Sequence, residues 1–385
     1  MLGAGFEQNI AIKYAQELGI EVIAVDSNKN AEGLKSVKIG IVSDIKNIEK
    51  MIEIGKKFQV DGVMTHGVEI PHVVARIAEA LNTPGLKPDI ADRATNKLLR
   101  SKCFKKNNVP SPKFIFVKSK QEAIIKSKNL KFPLVIKPID SSGARGVSKI
   151  NKSDEIPKKY DEATSFSNNK IVLLEEFIDG PQISTESIII KNKIITTGFA
   201  DRNYDNSYIF EPYMIEDGHT IPSNISGELK NKVIKTVEKA IKDLGINFGV
   251  AKGDIIIHNG EPKILEMAAR TSGGRFATDM VPISSGINIL KPLIQMSVGE
   301  KIEMSYHLYW ILVKNREKFM KEMKEMKIET GSHYIPVHTM SFYKSKKKLP
   351  VTNDIAKKIV TIPIHPKLSD KEVNYIIKTV NSLLY

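Results

Sequence analysis

The chain has 385 residues, 41% hydrophobic and 26% charged, and its 58 Lys and Arg against 44 Asp and Glu give a formal net charge of +14. That balance fits two or three globular domains and disfavours disorder. No apolar run reaches the roughly 20 residues of a membrane-spanning helix, and Met1-Leu-Gly-Ala-Gly5 lacks the basic start and apolar stretch of a secretory signal, so a cytoplasmic protein with no membrane partner is expected.

The basic residues are mostly Lys scattered among Glu and Asp, and the longest run is Lys346-Lys-Lys348. Without clustering, a solvated surface attractive to anionic small molecules outweighs nucleic-acid binding. The single Cys103 has no disulfide partner and sits in a Lys-rich helical stretch, which makes it a buried or incidental thiol.

In chain order, Gly3 and Gly5 read as a turn opening a helix with apolar Ile10, Ala11, Ala15 and Leu18, stopped by Gly19 and followed by a strand over 21–25 that ends at Asp26. This is a βαβ start whose first strand is almost absent before Leu2, so either the start lies upstream or that strand is very short. A strand over 62–65 and a helix over 71–81 continue the alternation to Pro84-Gly85. Gly3-x-Gly5-x-x-Gln8 lacks the third glycine of the dinucleotide fingerprint. Although Asp26 lies about 20 residues on, where an acid would meet a ribose, a structural turn outweighs a dehydrogenase.

A helix over 92–107, the break Pro110-Ser-Pro112, a strand over 113–117, a helix near 120–128 and a buried strand over 133–136 come next. A further helix over 227–244 gathers Leu229, Val233, Val237, Ala240, Ile241 and Leu244 on one face, with Gly245 as its stop; this is a core face. No repeat or low-complexity stretch is evident.

Four features between residues 135 and 275 carry chemistry. Lys137 ends an apolar strand, a position that holds an ammonium at a sheet edge where it can meet phosphate oxygens. Ser141-Ser142-Gly143-Ala144-Arg145-Gly146 follows at once, and its glycines and small hydroxyl residues let backbone N–H groups approach phosphates while Arg145 adds charge. An acidic strand, Leu173-Leu-Glu175-Glu176-Phe177-Ile178-Asp-Gly180, is third.

The fourth is a hairpin with Asp254 and Glu266 on its two strands. An odd-numbered loop would set these carboxylates opposite each other, whereas a two-residue Asn-Gly turn would put them on opposite faces. Pro262 disfavours tight pairing just after Gly260, so the odd loop is preferred. Like charges facing each other need a cation between them, and magnesium with triphosphate oxygens is the natural occupant.

In this order and spacing, with Arg270-Thr-Ser-Gly-Gly-Arg275 at the end, the features resemble the ATP-grasp family of carboxylate-amine ligases. The resemblance implies an α/β and α+β chain: a βαβ, Rossmann-like pre-ATP-grasp domain at 1–90 and a two-part ATP-grasp module at 91–302. It also implies ATP and magnesium, with Lys97, Lys137, Ser142, Gly143 and Arg145 on the phosphates. Glu175 or Glu176, the main chain of Phe177 and Ile178, and Gln182 would meet the nucleoside. Asp254 and Glu266 would hold the metal, and Lys137 and Arg270 would be catalytic. Arg202, Arg270, Gly273 and Arg275 would meet a substrate anion, which the guanidinium fork suits.

The sequence departs from the family pattern at Gln182, where Glu is common, and at Ala268, where a further metal ligand is common. The implied reaction activates a carboxylate as an acyl phosphate and joins it to an amine, releasing ADP and phosphate; the alternative is a nucleotide-binding regulatory or accessory protein of a sugar-biosynthesis pathway without turnover. Small-molecule carboxylate and amine substrates are the expected partners, their identities unspecified.

From 308 onward, Leu308-Tyr-Trp-Ile-Leu-Val and Gly331-Ser-His333-Tyr-Ile-Pro-Val-His338, then Ile362-Pro-Ile-His and a helix over 371–384, resemble the small domain of pyridoxal-phosphate sugar-nucleotide aminotransferases. A small α+β appendage over 303–385 is expected, built on Leu308, Trp310, Leu312, Phe319, Met323, Ile362, Ile376 and Val380. The cofactor-bearing large domain is absent from the sequence, so transamination by this chain alone is not expected. Acceptor recognition, homodimerisation and an inert relic all stay open for this tail, and His333 and His338 are read as loop residues, not metal ligands.

Overall fold

The computed structural model describes residues 1–225, 227–300, 308–343, 348–365 and 367–384. Residues 303–307, expected to open the tail, and Lys346 and Lys347 of the basic run lie outside the described residues. The chain divides into two compact units, residues 1–302 and 303–385. Among the described residues no helix is long and apolar enough to cross a membrane.

The first unit opens with α1 (Phe6–Glu17), β1 (Ile23–Asp26), α2 (Glu32–Lys35), β2 (Ile39–Val42), α3 (Ile48–Lys57) and α4 (Pro71–Leu81). β1 and β2 are parallel, and Leu2 bridges Val25 and Thr65, also in parallel. The expected strand over 62–65 is therefore reduced to one bridging residue, while β2 and α3 escaped the sequence reading. Asp26 spends both oxygens on the turn, accepting from the Ala4 N–H at 2.7 Å and the Asn28 N–H at 2.8 Å.

The single helix expected over 92–107 is two, α5 (Pro88–Thr95) and α6 (Lys97–Lys106). Asn96 breaks it: its backbone is extended and its side chain accepts from the N–H groups of Leu98 and Leu99 at 3.0 and 3.1 Å, a helix cap. The break sets Lys97 at the head of α6.

Next come β3 (Phe114–Val117), α7 (Lys120–Ser127), β4 (Leu134–Pro138), β5 (Ser148–Ile150), α8 (Ile156–Ser165) and β6 (Val172–Glu176). The four strands form an antiparallel sheet in the order β3-β6-β4-β5. Alternation decides its faces: Leu134, Ile136, Val172 and Leu174 are buried with Ile156, Tyr160 and Ala163 of α8, and Val135, Lys137 and Glu175 point the other way.

β7 (Gln182–Ile190), β8 (Lys193–Asn203), α9 (Ser207–Phe210), β9 (Gly218–Thr220), α10 (Gly227–Leu244), β10 (Gly249–His258) and β11 (Glu261–Ala268) follow. Their sheet is antiparallel in the order β11-β10-β7-β8-β9. Val233, Val237, Ala240 and Ile241 of α10 pack on Ile183, Ile255, Ile257 and Met267, as the helical spacing predicts. Truncating fully buried Ile241 to Ala would cost roughly 2–5 kcal/mol. With its apolar face so covered, the sheet turns its charged residues to the other side.

The unit closes with α11 (Val281–Ser285) and α12 (Leu290–Ser297), whose Leu290, Leu293 and Ile294 share a core with Ile12 and Ala15 of α1.

The second unit pairs β12 (Tyr309–Leu312) and β13 (Ile359–Ile362) antiparallel, with α13 (Arg316–Glu325), α14 (Pro350–Lys358) and α15 (Asp370–Leu384). Its core is Val313, Phe319, Met323, Ile328, Val360, Ile376 and Val380. Phe319, Met323, Ile376 and Val380 are in this core as expected, but Trp310 and Leu312 are exposed, because the strand turns Ile311 and then Val313 inward.

Candidate active site where two antiparallel sheets meet

On the four-stranded sheet Lys137 donates to Glu175 Oε2 at 2.6 Å, both side chains nearly buried. Lys149 stands opposite Val135 and so shares their face, its Nζ 4.6 Å from the Phe177 ring centre. Glu176 does not join them: it lies on the other face, opposite Leu134, and accepts from the Lys131 N–H at 3.4 Å. The Phe177 N–H already donates to the Pro133 carbonyl at 2.9 Å, so of its main-chain groups the carbonyl is the one left to offer; Ile178 lies just past the strand.

The loop after β4 takes left-handed backbone at Gly143, Ala144 and Gly146. A Cβ on Gly146 would come within 2.9 Å of Pro138, whereas Gly143 faces open space. Lys97 Nζ donates to the Ser141 carbonyl. Arg145 folds back, donating from Nε to the Ser142 carbonyl at 3.0 Å and from Nη2 to its hydroxyl at 3.2 Å.

On the five-stranded sheet Asp254 stands opposite Glu266 across the hairpin and opposite Ser184 on β7. The route to that pairing corrects the expectation. The turn has two residues, Asn259 and Gly260, both at positive φ, between paired His258 and Glu261. Pro262 is tolerated because its partner Ile257 directs its own N–H to Pro181 on the other side, at 2.8 Å. A bulge then advances the register by one, from Ile255↔Ile264 to Asp254↔Glu266, and returns the carboxylates to one face.

Cations surround this pair. Lys252 and Arg202 contact Asp254, the latter at 3.0 Å, and the nearly buried Arg100 lies 3.4 Å from Glu266. Burial opposes ionisation of Glu266, but Arg100, Lys97, Lys252 and Lys137 outweigh it and hold its carboxyl below the usual carboxylate range. Asp254 is likewise held low against its burial and the Glu266 charge by Lys252 and Arg202. Burial lowers Lys97, with Arg100 and Lys137 adding to the effect and Glu266 opposing it. Charges from both sheets thus act on one another across a shared site.

Arg202 also donates from Nε to Glu216 at 2.6 Å, and Gln182 faces Arg202 across the β7–β8 ladder. His219 of β9 sits beside them, its Nε2 3.3 Å from the Ser184 hydroxyl, and burial lowers its pKa.

The segment after β11 reaches the N-terminal residues of the first unit. Arg270 Nε donates to Glu69, and Glu69, Glu266 and Glu186 hold the guanidinium pKa up against its burial. Thr271 Oγ1 lies 2.8 Å from Nδ1 of buried His66, whose pKa falls to about 4 through burial and the Arg270 charge. Ser272 bonds the wholly buried Glu186. A Cβ on Gly273 would lie 3.0 Å from Glu7 Oε2, so the chain passes close to α1. Arg275 turns aside to Asp279 at 2.6 Å, with its N–H on Glu7 at 3.2 Å, and shares no bond with the Arg270 cluster.

Two facing carboxylates suit magnesium, which takes one or two protein carboxylates and completes its shell from phosphate and water. No group of three or more His, Cys, Asp and Glu able to hold a metal occurs among the described residues. Several polar neighbours were missed in the sequence. Lys252 was readable as the strand neighbour two before Asp254, and Arg100 as the helical neighbour three after Lys97. Glu69 and Glu186 carry no local signal, since only the fold brings them to a segment near residue 270.

Residues 94–274 match the ATP-grasp domain family and residues 286–381 the DegT/DnrJ/EryC1/StrS aminotransferase family. The latter match begins at 286, before the 303 expected for the appendage, and includes α12, which packs in the first unit. The uncharacterized protein y4rH of Sinorhizobium fredii is 22% identical over 270 residues, 68% of this chain and 55% of that protein, so the chain spans about half its length. The formate-dependent phosphoribosylglycinamide formyltransferase of Saccharolobus solfataricus is 26% identical over 314 residues, covering 78% and 75%. Among solved structures, the L-amino acid ligase of Bacillus licheniformis superposes with a TM-score of 0.68 at 19% identity over 99% of this chain and 96% of that one, a likeness of fold. Fold, motif order and family match agree: residues 94–274 match an ATP-grasp domain, followed in the same chain by a match to the DegT/DnrJ/EryC1/StrS aminotransferase family.

Proposed function

We propose that the protein is an ATP-dependent ligase that activates a carboxylate as an acyl phosphate and joins it to an amine. The observation that carries this reading is the Asp254–Glu266 pair, held ionised by Lys252, Arg202 and Arg100 within electrostatic reach of Lys97 and Lys137. An L-amino acid ligase of the same fold and a formyltransferase relative support a carboxylate donor and an amine acceptor.

In this account Lys97, Lys137 and the 141–146 backbone take the triphosphate, with Lys149 and the Phe177 carbonyl beside the nucleoside. Asp254 and Glu266 are the carboxylates that would hold magnesium, which when bound neutralises phosphoryl oxygens. Arg270 pairs with the substrate carboxylate, steadied from behind by Glu69. The carboxylate oxygen bonds to the γ-phosphorus as the bond to ADP breaks; the amine then bonds to the carbonyl carbon and phosphate departs. No side chain need act as nucleophile, because alignment and charge neutralisation supply most of the rate.

A second reading, a nucleotide-binding accessory protein without turnover, draws on Ala268, which offers no metal oxygen. The aminotransferase-like segment supports an aminosugar or nucleotide-sugar as one substrate class. Screening amino acids and aminosugars for ADP and phosphate release, with mass spectrometry of products, tests the proposal. Nucleotide binding without release under any pairing would favour the accessory reading.

A further inference from the structure

Among the described residues, Glu186 is the one fully buried carboxylate that the proposed chemistry does not use. It lies mid-strand in β7, opposite Lys252 on β10 and Gly198 on β8. Gly198 leaves it room, since a Cβ there would stand 3.0 Å from the Glu186 Cβ and 2.6 Å from Val281. Its two oxygens each accept from the Ser272 N–H at 3.2 Å, and Oε2 also accepts from the Ser272 hydroxyl at 2.5 Å. Ser272 is two residues beyond Arg270. The charges acting on Glu186 are Lys252 from β10 and Arg270 from the loop itself; the nearest β8 groups, Gly198 and Thr197, are uncharged.

We propose that Glu186 is a positioning residue for the arginine loop: as an anion it clamps Ser272 and thereby fixes Arg270 for the substrate carboxylate. An ionised carboxylate is acceptor-only and meets both Ser272 donors, whereas a protonated one turns one oxygen into a donor and loses part of that match. Burial raises the Glu186 pKa to about 7, against the pull of Ser272, Arg270 and Lys252, so the clamp loosens just below neutrality. The substrate role of Arg270 rests on the ligase reading; the clamp itself does not.

The test uses the full chain as wild type, Glu186→Gln and Ser272→Ala. Hydrogen exchange of residues 270–275, compared at one pH, reads the clamp without any turnover. Both variants should exchange faster there than wild type, with residues 97–106 unchanged. For any substrate pair found, the wild-type KM for the carboxylate should rise about tenfold from about pH 8 to about pH 6 as the anion is depleted, with the ATP KM steady. Glu186→Gln should be weak and flat across that range, and Ser272→Ala, which keeps the N–H, intermediate. Wild-type exchange in both variants overturns the clamp. Faster exchange with no substrate pair turned over keeps the clamp and counts against the ligase. A Glu186→Gln protein that fails to fold leaves the decision to Ser272→Ala, and a wild-type pH dependence of KM in Glu186→Gln also overturns the proposal.

Discussion

Asp254 and Glu266 face each other although their hairpin turns in two residues, because a bulge between Ile255 and Asp254 restores the register the tight turn alone would deny them. Their mutual repulsion is offset by Lys252, Arg202 and Arg100. On the proposed reading, Asp254→Asn takes one anionic oxygen from the metal site without changing shape. Magnesium titration of nucleotide binding should shift to about tenfold higher concentration or more. Superimposable titrations would mean that Asp254 is no ligand.

Arg270 contacts Glu69 across 201 residues of sequence, and a lysine there would keep charge while losing the fork. Arg270→Lys should lower carboxylate-dependent turnover by about a hundredfold and leave ATP affinity within about twofold. Equal losses would move Arg270 into the triphosphate site.

Two buried groups give stability terms of opposite sign. His66 titrates at about 4 when folded against an ordinary 6.5, so its contribution is complete above 6.5 and is lost as pH falls toward 4. Glu186 titrates at about 7 against 4.5, so its contribution is complete below 4.5 and is lost as pH rises through 7. Each term amounts to about 3 kcal/mol. In urea unfolding, the advantage of wild type over His66→Gln should grow between pH 4 and 6.5, and its advantage over Glu186→Gln should shrink between 4.5 and 7. Parallel curves for wild type and either variant would show that the residue titrates as if exposed.

The aminotransferase-like match starts at 286, but α12 buries Leu290, Leu293 and Ile294 against α1. A chain ending at residue 302 should therefore fold and bind ATP, and one ending at 285 should unfold or aggregate. The comparison is made by circular dichroism melting and nucleotide titration. A stable 285-residue form, or a folded 302-residue form that cannot bind ATP, would contradict this division.

Much of the site could be read from local pattern. Lys137 at a strand end, the glycine loop, and the α10 core face all follow from spacing that neighbouring residues fix. The failures share a cause, parity or register decided from a distance. Glu175 and Glu176 are equal candidates in sequence, and only β4 pairing separates them. The two-residue turn alone misleads, because the bulge beyond it is invisible in composition. In the tail, Trp310 and Ile311 compete for one core, and packing on Phe319 and Val360 chose the smaller residue. Partners such as Glu69 and Arg270 cannot be found without the fold.

On the proposed function, ATP phosphorylates a carboxylate in the site bounded by Lys137 and Glu266. A substrate carboxylate labelled with heavy oxygen at both positions reveals that transfer in the phosphate released. The account predicts one labelled oxygen in each inorganic phosphate released with ADP, and no such release by Lys137→Ala or Glu266→Ala proteins that remain folded. Unlabelled phosphate, or labelled phosphate undiminished in both variants, would contradict it.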